Sequence, residues 1–250
     1  YPWSKNHVNF IRYSFDINDM PLDGNLNVSF IDDKFYIGND ATLELLKEIS
    51  DSSSTHNKIK VKNGFATLND KMFILNKDCG IIHKTDIFKK NLIPIWKASK
   101  NKITTAIYPY DENGKPLKYE DINVNTRYAL EIASKTLEVD TTDENWYLYG
   151  RYQGIKDMSK YRIGINTIIC DDITSIKVKL LEPYVGIYSG LYIVCENDEY
   201  FFKEHYKKIY NILVNLEFIN YVKSLGKYKN GGYYTFSSKD LENYLNFKIN

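Results

Sequence analysis

Apolar and polar residues alternate through "VNFIRYSFDI" and "LNVSFIDDKFYI", the period of half-buried strands, with turn-rich "NDMPLDGN" between them. The spacing then becomes helical. In "NDATLELLKEIS", Leu43, Leu46 and Ile49 share one face, and Asn39 or Asp40 stands ready to cap it. Polar "SDSSSTHN" predicts a linker, dividing an N-terminal connector, residues 1–57, from a domain over residues 58–250.

Beyond the linker, "KIKVKNGFATLNDKMFILNKD" reads as strand, glycine turn and strand. "LIPIWKASK" and "ITTAIYPY" read as strands around a lysine-rich turn, with Trp96 in the core. "NTRYALEIASKTLE" predicts a helix with Tyr128, Ile132 and Leu137 on its apolar face. "WYLYGRYQGI", "YRIGINTIICD", "SIKVKLLE" and "GIYSGLYIVC" predict a meander of short strands. One long helix, Glu204 to Leu225, follows through Ile209, Leu213, Leu216, Ile219 and Val222, with Gly226 as its C-cap. The loop "KYKNGG" leads into the strand "YYTF" and a helix capped by Ser237 or Ser238. The fold class is α+β: mixed and strand-rich, with a few helices, including one long helix near the C-terminus.

Composition narrows the chemistry. Net charge is +1 across 250 residues, but the charge is unevenly spread. Lys84 to Lys102 holds six lysines against one acid, whereas Asp111 to Glu144 holds nine acids against four bases. Such a distribution can hide a basic patch inside a neutral total. The 22 tyrosines follow from an AT-rich genome or from a wet, sticky surface. Three separated cysteines argue against disulfide scaffolding and for a reducing interior such as a cytoplasm. The pair Cys79 and His83 lacks a second ligand pair, so no metal site is expected. No apolar run approaches membrane-spanning length, so no membrane partner is expected.

Several motifs are missing. There is no G-x-G, no G-x-x-x-x-G-K-[ST], no G-x-S-x-G, no E-x-K and no pair of adjacent prolines. The chain begins with tyrosine and is expected to be a portion of a longer polypeptide, with no catalytic residue of its own.

What remains suits nucleic acid. Arg151 and Gln153 lie two apart, so on a strand both would point the same way. Arginine pairs bidentately with guanine and glutamine with adenine. The bland alternative pairs Arg151 with a carboxylate such as Glu144 and has Gln153 cap a turn. Gly150 and Gly154 would let backbone approach a phosphate or base. In "KYKNGGYYTF", Lys227 and Lys229 stand beside Gly231 and Gly232, a phosphate-binding arrangement or a plain hairpin turn. Lys62, Asn63 and Gly64 repeat the design, and Lys97, Lys100 and Lys102 extend the basic character.

Taken in order, "NGFATLNDKMFIL", "IPIWKASKNKITTAIYPYDENGKPL", "WYLYGRYQGI", "YSGLYIV" and "GKYKNGGYYTFSSKDLENYLNF" resemble the target-recognition region of bacterial restriction–modification N6-adenine DNA methyltransferases, the TaqI-like class and its fused relatives. The likeness runs from about Lys58 to the end. It departs at "LEVDTTDENW", where the family commonly carries an arginine–acid pair and this chain has Val139 and Asp140 without arginine.

The resemblance implies a DNA-recognition domain, residues 58–250, that binds double-stranded DNA. It implies no cofactor in this chain: S-adenosylmethionine would belong to an absent catalytic methyltransferase domain of the same polypeptide, which flips the target adenine. It assigns base reading to Arg151 and Gln153, with Tyr152 or Tyr233 against sugar or an unstacked base. Backbone contacts fall to Lys62, Asn63, Gly64, Lys100, Lys227, Lys229, Gly231 and Gly232. The competing expectation is a non-catalytic module that binds carbohydrate or protein through exposed tyrosines.

Overall fold

The structure, a computed structural model, describes residues 8–10, 26–31, 33–51, 59–75, 84–195 and 199–249. The connector expected over 1–57 and the Cys79–His83 pair therefore lie partly or wholly outside the described residues. The mixed α+β class holds.

The chain divides into two compact units, one comprising Tyr1–Ile59, Ile168–Ile176 and Lys207–Asn250, the other Lys60–Thr167 and Lys177–Tyr206. Residues 58–250 contribute to both units. The last 44 residues group with the N-terminal segment because helices Leu216–Ser224 and Ser238–Ile249 pack on helix Asp40–Asp51.

In the first unit an antiparallel sheet joins Val8–Phe10, Leu26–Ile31 and Lys34–Gly38. Helix Asp40–Asp51 starts where Asn39 Oδ1 accepts the Thr42 N–H at 2.9 Å, and it buries Leu43, Leu46 and Ile49 as its spacing required. The expected long helix breaks. Asn215 caps a new helix by accepting the Phe218 N–H at 2.9 Å, which leaves Glu199–Leu213 and Leu216–Ser224 as separate pieces. An asparagine that bonds backbone two or three residues on competes with helix continuation, and here it prevails. Gly226 closes the second piece in the left-handed region, φ +68°. Ser237 and Asp240 cap the final helix reciprocally: each accepts a hydrogen bond from the other's backbone N–H.

The second unit holds two four-stranded sheets. One orders Leu92–Lys97 between Gly186–Tyr188 and Lys102–Ile107, with Ile74–Leu75 at the edge; the other centres on Arg162–Ile165 and Leu191–Cys195. Trp96 is fully buried and donates its indole N–H to Asn101 at 3.0 Å. A Cβ at Gly164 would stand 2.6 Å from the Trp96 ring, so this glycine exists to admit it. Helix Val124–Thr136 forms as expected but turns its other face inward. It buries Thr126, Leu130 and Ser134, leaving Val124, Tyr128 and Ile132 exposed.

The tyrosines are largely structural. Tyr108, Tyr110, Tyr149, Tyr192, Tyr221 and Tyr244 are fully or almost fully buried. Several of their hydroxyls bond within the protein: Tyr192 to Asp157, Tyr221 to the Asp240 carbonyl and Tyr244 to Glu217. Such a residue brings apolar area to a core provided its hydroxyl finds a partner. No described helix is long and apolar enough to cross a membrane.

Candidate nucleic-acid interface

The segment around Arg151 is not a strand. Ala66 and Arg151 exchange both backbone hydrogen bonds at 3.0 Å in an isolated antiparallel bridge, and Gln153–Ile155 then turns as a 3-10 helix. Strand alternation therefore does not align Arg151 with Gln153. Arg151, Tyr152 and Gln153 are nonetheless all exposed. Neither Arg151 nor Gln153 has a side-chain hydrogen bond or ion pair among the described residues, so the alternative pairing of Arg151 with Glu144 is not formed.

Register links this bridge to the lysine-rich turn. Lys102 pairs with Lys97, Lys97 with Tyr188, and Tyr188 bridges Phe65, the neighbour of Ala66, which pairs with Arg151. The row passes from Phe65 to its neighbour Ala66, and adjacent strand residues face opposite sides, so the register does not put the Arg151 and Lys97 side chains on one face. Lys100 occupies the exposed tip of the turn, and Asn101 reverses the chain at φ +48°. The Lys97 ammonium lies 5.9 Å over the Tyr188 ring.

Three of the backbone-contact assignments meet a competing use. Lys62 Nζ is 2.9 Å from Asp157 Oδ2. The Gly64 N–H donates to the Gly190 carbonyl at 3.0 Å, and a Cβ there would stand 2.5 Å from the Ile187 carbonyl oxygen. Gly64 is a close-packing residue rather than an open amide. Lys227 is bonded to the Asp240 carboxylate. Gly154 is likewise buried against the backbone of Asn63, Gly64 and Phe65, where no phosphate reaches. Asn63 and Lys100 remain exposed.

In the other unit, Tyr228–Lys229 and Tyr233–Thr235 form the expected hairpin, turned by Gly231 and Gly232 at φ +80° and +76°. Lys229 pairs directly with Tyr233, and cross-strand partners share a face. That exposed face carries a cation and an aromatic ring, while Tyr234 turns inward.

Sequence reasoning missed two features. The first is a buried polar cluster. Arg162, fully buried, donates to the carbonyls of Val185 at 2.7 Å and Lys160 at 3.2 Å and lies 5.7 Å from the Tyr192 ring centre. Burial pulls its pKa down to about 10, which still leaves it charged at neutral pH. Asp157 accepts from Tyr192 at 2.8 Å and from Lys62. Burial alone would raise its pKa. The hydrogen bonds from Lys62 and Tyr192, with the charges of Lys62 and Lys160, outweigh that and hold the carboxyl below its ordinary value.

The second is a cleft of about 650 Å3 beside Arg151, with Leu68, Tyr110, Asp143, Trp146, Tyr149 and Tyr152 among its walls. The aromatic run "WYLYG" was its visible sign; Tyr110 and Leu68 arrive from distant sequence. Burial pushes the Tyr110 phenol up to about 12, so it is a proton donor at neutral pH.

No group of His, Cys, Asp or Glu among the described residues could hold a metal ion. Cys170 and Cys195 are free thiols. Searched against protein families and curated proteins, the chain matches none, so what the site does has to be read from its own geometry.

Proposed function

We propose that this chain recognises a specific double-stranded DNA sequence and serves as the target-recognition part of an N6-adenine methyltransferase whose catalytic domain lies outside these 250 residues. The observation that supports the reading is an uncommitted guanidinium and amide, Arg151 and Gln153, exposed on the unit that also carries the lysine turn with exposed Lys100. In this reading Lys100 neutralises a phosphate while Arg151 reads a base edge. Lys229 and Tyr233 supply a second cation–ring pair on the other unit. With no G-x-G in the sequence, the chain has no glycine turn of the usual kind for a methyl donor. S-adenosylmethionine would belong to that separate catalytic domain.

The test is selection of bound duplexes from a randomised library by the full chain, followed by binding at several salt concentrations. The expected result is an enriched motif with affinity that falls steeply with salt. Arg151→Ala should relax choice at one base pair by ~1–3 kcal/mol, and Lys100→Ala should lower the salt slope by about 1 without changing the motif. No enrichment, or binding indifferent to salt, overturns the reading and favours a carbohydrate- or protein-binding module.

A further inference from the structure

We propose that the cleft beside Arg151 is a pocket for one unstacked nucleobase. The proposal rests on the DNA reading for its biological source, but its chemistry stands on the cleft itself. At about 650 Å3 the space falls within the ~300–1,000 Å3 typical of small-molecule sites.

Its polar groups sort by kind. Tyr110 lines the cleft though only 1% exposed, and its hydroxyl accepts the Tyr149 N–H at 2.9 Å. Its own hydrogen has no acceptor among the described residues, so one buried donor is left for whatever enters. Asp143 Oδ1 caps its loop by accepting the Asn145 N–H at 2.9 Å, and its carboxylate has no cation partner. A carboxylate accepts from a base N–H, as it does with cytosine N4. A donor and an acceptor lining one cleft suit any base edge that pairs an N–H with an acceptor: the amino group and ring nitrogen of adenine or cytosine, or the N3–H and O4 of thymine.

The walls fit a flat ring whose phosphate stays outside. Trp146 and Tyr152 both line the cleft, and Tyr152 is 57% exposed and open to stacking. Stacking on such a ring contributes ~1–3 kcal/mol per base. Asp140, Asp143 and Glu144, all exposed, belong to one acidic loop that repels a phosphate. Arg151, between the lining residues Gly150 and Tyr152, is an exposed cation for the phosphate or sugar at the mouth.

The rim is built rather than accidental. Leu68 adopts left-handed backbone, φ +59°, with its side chain 68% exposed, and a Cβ on Gly150 would stand 2.3 Å from it. A leucine held in that region at a cost of ~1–2 kcal/mol, and with little burial in return, marks a contact surface.

The test uses the full chain in two arms. Tryptophan fluorescence is titrated with adenosine, cytidine and thymidine, and with ribose as the sugar lacking a base. Separately, the fluorescence of a duplex carrying 2-aminopurine reports whether a base leaves the stack when the chain binds. The nucleosides should change the fluorescence and ribose should not. Tyr152→Ala should weaken nucleoside binding about tenfold, and Tyr110→Phe should weaken it as well, with folding checked by circular dichroism. A 2-aminopurine signal lost in Tyr152→Ala assigns the base to DNA; nucleoside binding without that signal assigns the pocket to a free nucleoside. Ribose binding as well as the nucleosides, or no binding in either arm, overturns the proposal. If the pocket variants change nothing while Arg151→Ala still relaxes sequence choice, the pocket fails and the DNA reading stands.

Discussion

Replacing Asp157 with asparagine tests whether the buried cluster stabilises the second unit. The carboxylate is 6% exposed and accepts from the Tyr192 hydroxyl at 2.8 Å and the Lys62 ammonium at 2.9 Å, with Lys160 at 3.7 Å. The buried Tyr192 bond to a charged acceptor contributes ~1.5–3 kcal/mol. Lys62 is 40% exposed, so its pairing is screened and adds only ~0–1 kcal/mol. Arg162 has no carboxylate within ion-pair distance and is satisfied by carbonyls, so it loses a field rather than a partner. The sum is a loss of about 2–4 kcal/mol. Urea unfolding followed by tryptophan fluorescence measures it, because Trp96 and Trp146 both lie in this unit.

The pH dependence supplies a second check. The folded pKa of Asp157 is depressed, so its contribution is present above the ordinary carboxylate pKa and is lost as pH falls through the folded value. The difference between wild type and Asp157→Asn should therefore be full at pH 7 and shrink below about pH 4. A variant as stable as wild type at pH 7, or a gap that widens in acid, would refute the reasoning.

Further outcomes follow from particular contacts. Gly64→Ala should cost about 1–3 kcal/mol in urea unfolding, because its Cβ meets the Ile187 carbonyl oxygen and backbone cannot step aside cheaply. Asn215→Ala should lose ~1 kcal/mol and some helical ellipticity on thermal melting, since the Phe218 N–H loses its cap. Asp240→Asn should cost ~1 kcal/mol at pH 7 and less in acid. Burial opposes the depressed pKa of Asp240, but its bonds to Lys227 and Ser237 prevail. Lys62→Met should leave the salt dependence of any DNA binding unchanged, as its ammonium is already engaged by Asp157.

Local signals settled much of the fold. Period and capping placed helix Asp40–Asp51, the strands Leu92–Lys97 and Lys102–Ile107 around their lysine turn, and the hairpin at Gly231 and Gly232. Each depends on residues within a few positions of one another. The class of the fold was legible for the same reason, as were the exposure of Arg151 and the burial of Trp96.

Tertiary structure decided the rest, wherever two readings were locally equivalent. Helix Val124–Thr136 has apolar residues on two faces, and only packing selected Leu130 over Tyr128 and Ile132. An arginine in sequence does not reveal whether a carboxylate will meet it. Lys62 found Asp157 95 residues away, whereas Arg151 found none among the described residues. The cleft is likewise non-local, since the Tyr110 hydroxyl and the Tyr149 amide meet across 39 residues. Composition and spacing fix which groups a chain has to offer; burial and long-range pairing decide which are consumed inside the protein and which are left for a ligand.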